Sequence, residues 1–174
     1  MFHDFPLWSK IWEASLILAD YLASRAVEPD KCFLEIGAGL GVVSTVASAF
    51  GHHVTATEYD SHALNFIRAN SLHNQCSNLE IRELDWNNPR LDGPFDYIVA
   101  SEVAYHERHF ESIQKLLQAN LKPDGEAILA AEIKNTTIEF FSRMQQFFNI
   151  QAQKKTLRSD DKEIPVILSR MTHK

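Results

Sequence analysis

This chain is poor in cysteine and has no long apolar run. Cys32 and Cys76 are its only cysteines, too few for a disulfide framework, and Cys32 opens a strand that reads as buried. No stretch reaches the roughly 20 consecutive apolar residues of a spanning helix, and no secretory leader is recognisable, so no membrane partner is expected and the cytoplasm is the expected compartment. Lys and Arg are scattered: 17 of them stand against 23 Asp and Glu, a net charge of −6. Without a basic run the chain lacks the electrostatic footprint of a general nucleic-acid binder. The eight histidines lack cysteine or carboxylate partners at ligand spacing, so no metal site is expected. Glycine is scarce too. Three of the six glycines nevertheless fall within five residues, at Gly37, Gly39 and Gly41.

The length of 174 residues and a hydrophobic content of 45% fit one domain over residues 1–174. Helices and strands alternate along it. Ser9 is placed to cap a first helix running to about Ser24, with Ile11, Ala14, Leu18, Tyr21 and Leu22 on one face. Strands follow at Cys32 to Ile36, His53 to Glu58, Leu79 to Leu84, Phe95 to Ala100 and Glu126 to Ile133. Between them lie helices from about Leu40 to Ala49, from Asp60 or Ser61 to Leu72, and around Phe110 to Leu121. Asp92-Gly93-Pro94 and Pro123-Asp124-Gly125 read as turns. Thr136-x-x-Glu139 reads as a capping box for a last helix. Two final strands, around Ile150 to Leu157 and Pro165 to Met171, are joined by a polar segment over 158–163, with Pro165 at the start of its strand.

The run Leu34-Glu35-Ile36-Gly37-Ala38-Gly39-Leu40-Gly41 carries the chemistry. Glycines at alternating positions let a strand turn into a helix and bring bare backbone up to a ligand. The second strand ends in Glu58, where a nucleoside ribose needs a two-oxygen acceptor. A dinucleotide fingerprint requires a small residue at the third position of G-x-G-x-x-G/A. Here that position is Val42, and the third glycine comes one residue early. Glu35 would also repel a pyrophosphate, whereas a ligand bearing a sulfonium and an ammonium would not be repelled. S-adenosylmethionine (SAM) is such a ligand. Gly37, Ala38, Gly39 and Glu35 are assigned to its methionine portion and Glu58 to its ribose.

In an open α/β sheet the ligand sits beyond the carboxyl ends of the strands. Strand three ends in Leu84-Asp85-Trp86, where Asp85 can accept from the adenine amino group and Trp86 can pack on the ring. A turn acid and a packing aromatic are the alternative. Strand four ends in Ser101-Glu102-Val103-Ala104-Tyr105, beside the expected methyl group; Glu102 reads either as a substrate-side acid or as a cap for the next helix.

The first motif resembles the [E/D]-x-G-x-G-x-G of the class I, seven-β-strand SAM-dependent methyltransferases. Glu102-Val103-Ala104-Tyr105 departs from the Asn/Asp-Pro-Pro-aromatic tetrapeptide of adenine-N6 methyltransferases. It is similar to the [D/E]-x-x-Y of methyltransferase family 16. That group contains methyltransferase-like protein-lysine N-methyltransferases and bacterial nicotinamide N-methyltransferase-like proteins. Trp12-Glu13-Ala14-Ser15, Glu83-Leu84-Asp85-Trp86 and Phe95-Asp96-Tyr97-Ile98 resemble further segments of the same group.

The resemblance implies a Rossmann-like three-layer α/β sandwich whose seven-stranded, mostly parallel sheet ends in an antiparallel β-hairpin. It implies that residues 1–25 contribute to the cofactor pocket through Trp12, that the backbone at Ser101 binds the cofactor's amino group, and that Glu102 and Tyr105 are catalytic. The activity implied first is N-methylation of a protein lysine, with a small heteroaromatic or amine as alternative acceptor. A catalytically silent SAM-binding module and a nicotinamide-dinucleotide oxidoreductase stand behind these. A monomer or weak dimer is expected.

Overall fold

The structure is a computed structural model that describes residues 6–159 and 162–174. Its strands are β1 Cys32–Ile36, β2 His53–Glu58, β3 Leu79–Glu83, β4 Phe95–Ser101, β5 Leu121–Glu132, β6 Phe148–Ser159 and β7 Lys162–His173. They form one sheet in the order β3-β2-β1-β4-β5-β7-β6. The first five pair in parallel, and β7 runs antiparallel to both β5 and β6. The order reverses between β1 and β4, so the crevice that forms ligand sites in such sheets opens at their carboxyl ends.

The helices are α1 Glu13–Ala23, α2 Val42–Ala49, α3 Ser61–His73, α4 Phe110–Asn120 and α5 Asn135–Met144. The central strands are apolar on both faces, as parallel strands covered on both sides must be. In β1, Phe33 packs with residues of α1 and α2, while Leu34 and Ile36 pack with residues of α4 and α5. The same alternation in β4 sends Val99 to the first layer and Ile98 and Ala100 to the second. Helices therefore cover both faces of the sheet, giving the expected three layers.

Several local expectations are corrected. Ser9 does not cap α1: its hydroxyl donates to Pro6 O at 2.8 Å within a short 3-10 turn, Leu7–Ser9. Lys10 and Trp12 are extended, and the helix begins only at Glu13. The strand that Cys32 opens is buried from Phe33 to Ile36, as expected, while Cys32 itself, its first residue, is exposed. Thr136 lies inside α5 rather than at its cap; Lys134 is the capping position and makes no side-chain cap bond. Glu139 pairs instead with Arg143, one turn on. The turn expected at Pro123 to Gly125 is absorbed into β5 as an irregularity, because register passes from Phe95↔Leu121 to Tyr97↔Glu126. Pro165 is the fourth residue of β7, next to the point where β7 leaves the β5 ladder at Val166. Part of the 158–163 connection lies outside the described residues. Among the described residues no helix is long and apolar enough to cross a membrane.

Candidate active site

Three left-handed glycines shape the loop between β1 and α2, with φ of +64° at Gly37, +56° at Gly39 and +75° at Gly41, a region costly for residues with a Cβ. Ala38 N–H donates to Thr57 O at 3.0 Å, which pins the loop to β2. A Cβ on Gly37 would stand 2.9 Å from the Trp86 ring and 3.0 Å from Val103, so loop, indole and the β4 tip are packed as one wall.

Around this loop lies a cavity of about 360 Å³, within the size range of small-molecule sites. Gly37, Ala38, Gly39, Glu58, Trp86, Ser101, Glu102, Tyr105 and Trp12 all line it. Strand order spreads the lining from Glu58, at the tip of β2, across the glycine loop to the tip of β4 and to Lys134, two residues past the end of β5.

Glu58 closes one side. Its Oε2 accepts from Gly39 N–H at 2.9 Å and its Oε1 from Tyr59 N–H at 2.7 Å, which fixes the carboxylate beside the loop.

Glu102 stands on the opposite side in a strained backbone, with φ of +54°. Left-handed geometry on an ordinary side chain costs about 1–2 kcal/mol, and such outliers concentrate at functional sites. Its Oε1 accepts from Glu132 N–H at 2.6 Å, at the end of β5. The carboxylate is therefore held by a strand end and caps no helix. Burial raises its pKa above the ordinary range, against the lowering effects of the Glu132 N–H and the Lys134 charge.

Tyr105 is 45% exposed at the rim, its hydroxyl 3.5 Å from His109 Nε2, and His109 meets the Trp86 ring edge-on. Burial raises the Tyr105 pKa and lowers that of His109.

Two expected residues lie elsewhere. Glu35 is 1% exposed and sits under the loop, its Oε2 accepting from Ser44 N–H at 3.0 Å in the first turn of α2. It holds the helix N-terminus and does not reach the cavity wall. Burial pushes its pKa up to about 8, with the Ser44 bonds opposing and the Glu58 charge adding. Asp85 turns its Oδ1 to Asn87, accepting from the backbone N–H at 2.8 Å and the side-chain amide at 3.1 Å. That is an Asx turn, and Asp85 is not part of the wall.

The cavity also has walls that the sequence reading missed, among them Trp8, Lys10 and Lys134. The segment before α1 crosses the mouth: Trp12 Nε1 donates to Leu7 O at 2.9 Å, and Trp8 packs on Phe66 at 5.6 Å between ring centroids. Lys10 Nζ lies 4.2 Å from the Trp12 ring centroid and Lys134 Nζ 5.9 Å from it. Extending the strand-tip argument to β5 would have found Lys134. The paired tryptophans four residues apart, Trp8 and Trp12, were the available signal for the cover.

A glycine-turned β1–α2 loop at the switch point of a 3-2-1-4-5-7-6 sheet defines the class as a Rossmann-like, SAM-dependent methyltransferase. Precorrin-6y C5,15-methyltransferase of Geobacter metallireducens shares the fold, with a TM-score of 0.70 at 18% identity over 93% of this chain and 87% of that one. Residues 7–147 match the family described as lysine methyltransferase, and the chain belongs to that family. The chain is 29% identical to Protein N-lysine methyltransferase METTL21A of Danio rerio over 151 residues, 81% of this chain and 68% of the relative. It is 35% identical to Protein-lysine methyltransferase METTL21E of Mus musculus over 116 residues, 59% of this chain and 47% of the relative. It thus spans about half the length, or less, of some curated relatives it matches.

The residues present fit the cofactor of this class. A fixed carboxylate at β2, side-chain-free glycine backbone at β1 and an indole against that backbone offer a hydroxyl acceptor, a close approach and an apolar wall in one cavity. Acids at both sides of the cavity suit a cationic ligand.

Proposed function

We propose that this chain methylates the side-chain amine of a lysine in a protein substrate. Glu102 carries the reading: an acid in a backbone conformation that favours glycine, held by the end of β5 and facing the cavity beside Ser101 and Tyr105. That relatives of the chain are named protein-lysine methyltransferases supports the acceptor.

SAM supplies an electrophilic methyl group on a sulfonium. The backbone of Gly37, Ala38 and Gly39 holds the methionine portion, Glu58 accepts from the ribose hydroxyls, and Trp86 packs beside the adenine. The backbone at Ser101 receives the amino group, and Trp12 covers the methyl end. The acceptor amine must present its lone pair in line with the breaking bond, so positioning does most of the work. It must also arrive deprotonated, and desolvation beside Tyr105 and Trp12 lowers its pKa. Glu102 orients the amine and takes its proton, a role its raised pKa favours.

Incubation with methyl-labelled SAM and a lysate of the source cell tests the proposal. Label in lysate protein other than this chain supports it. Label confined to small molecules replaces it with N-methylation of a small heteroaromatic or amine, and no transfer at all leaves a SAM-binding module.

A further inference from the structure

The acceptor side of the cavity already contains a lysine. Lys134 follows β5, at the capping position of α5, and lines the same cavity as Ser101, Glu102 and Trp12. Its Nζ lies 2.7 Å from Glu132 Oε2 and 5.9 Å from the Trp12 ring centroid, and it is near enough to Glu102 for each charge to act on the other. A carboxylate to take a proton and an aromatic wall are the surroundings proposed for the substrate amine. Here they belong to a side chain of the enzyme.

We propose that Lys134 is a self-methylation site, modified by its own molecule with SAM as donor. The proposal rests on the methyltransferase reading and adds an acceptor to it. Before the step, the Lys134 ammonium loses its proton to solvent by way of Glu132, whose Oε2 lies 2.7 Å from Nζ. The freed nitrogen lone pair then forms an N–C bond to the methyl carbon as the C–S bond breaks. The products are a protonated methyl-lysine at 134 and S-adenosylhomocysteine.

Two features set the kinetics. Burial acts against the Lys134 charge, but the Glu132 hydrogen bond and the charges of Glu102 and Glu132 outweigh it and hold the group protonated beyond the usual lysine range. Self-methylation is therefore slow at neutral pH and accelerates about tenfold per pH unit while the ammonium dominates. Donor and acceptor share one cavity, so the rate per molecule is independent of protein concentration.

The test uses the purified chain and SAM alone, with peptide mass mapping over time. One methyl increment on the peptide containing Lys134, rising with pH, first order at every protein concentration and lost in K134R, is the expected result. Amine acylation supplies a readout independent of turnover: S-adenosylhomocysteine should protect Lys134 from the reagent and leave Lys115, with its side chain 69% exposed on α4, unprotected. Calorimetric SAM binding and melting of K134R establish that the cavity and fold survive. If the wild-type chain binds SAM and labels lysate protein while Lys134 stays unmodified and unprotected, self-methylation is overturned and the methyltransferase reading stands. Label on Lys10 instead, or a rate that climbs with protein concentration, also overturns it. Failure to bind SAM removes both.

Discussion

Replacing Glu35 with Gln should flatten the pH dependence of stability. The carboxyl is buried under the glycine loop, and its pKa rises from 4.5 when solvated to about 8 in the fold. The unfolded chain therefore releases this proton at lower pH than the folded chain does. The contribution of Glu35 is fully present below about pH 4.5 and is lost as pH rises toward 8. At about 1.36 kcal/mol per pH unit, the loss between pH 5 and pH 8 comes to about 3–4 kcal/mol. Gln cannot ionise, and its amide oxygen can still accept from Ser44 N–H, so the variant escapes this loss. It adds a buried NH2 that must find an acceptor, a penalty of about 1–3 kcal/mol that is the same at every pH. The diagnostic quantity is therefore the slope. Urea unfolding of both proteins at pH 5, 6, 7 and 8 should show the variant gaining on the wild type by about 3–4 kcal/mol over the series. In melting experiments the gain is roughly 7–14 °C for a chain of this size. A constant offset across the series would refute the reasoning and mean that Glu35 is ionised in the fold at little cost, stabilised by the helix N-terminus it holds.

The other expectations concern the cavity. Glu58→Ala should weaken SAM and S-adenosylhomocysteine binding at least about tenfold, since hydrogen bonds to a charged acceptor contribute ~1.5–3 kcal/mol each; an unchanged calorimetric dissociation constant rejects the ribose assignment. Trp86→Ala should lower cofactor affinity while leaving the melting temperature without cofactor close to that of the wild type, whereas a pure packing role would show chiefly as a large loss of that melting temperature. Glu102→Ala and Tyr105→Phe should bind SAM within a few fold of wild type yet turn over on the order of tenfold to a thousandfold more slowly. Full turnover in both variants sinks the catalytic assignment. Because the strained φ at Glu102 suits glycine, Glu102→Gly should fold at least as stably as the wild type while showing the same loss of turnover.

The sequence made the architecture legible because its signals were local and repeated. Apolar runs such as Phe33 to Ile36 and Phe95 to Ala100 mark strands buried on both faces, and the glycine cluster marks the single turn where backbone must approach a ligand. The misreadings share a cause, which is that residue type does not reveal which of several nearby partners a polar group will choose. Ser9 had the composition of a helix cap but bonded to its own turn. Thr136 had the spacing of a capping box, yet the helix began at Asn135, which puts the cap two residues earlier, at Lys134. Glu35 and Asp85 stood at strand tips as a ligand site requires, and each was taken by a closer N–H, of Ser44 and Asn87. Glu102 shows the reverse: its partner, Glu132 N–H, lies 30 residues away in sequence on the neighbouring strand, so only the fold could separate a strand-held acid from a helix cap. Lys134 was overlooked because the reading of strand tips stopped at the fourth strand.

The central claim, transfer of a methyl group from SAM to a protein lysine, is tested most directly by the chemical form of the product. Protein from the source-cell lysate, labelled by this chain with methyl-labelled SAM, should be hydrolysed to its amino acids and the label identified. The expected result is label in ε-N-methylated lysine, incorporated at least about tenfold more slowly when Glu102→Ala replaces the wild type. Label in another methylated amino acid, or in small molecules with none in protein, would contradict the account.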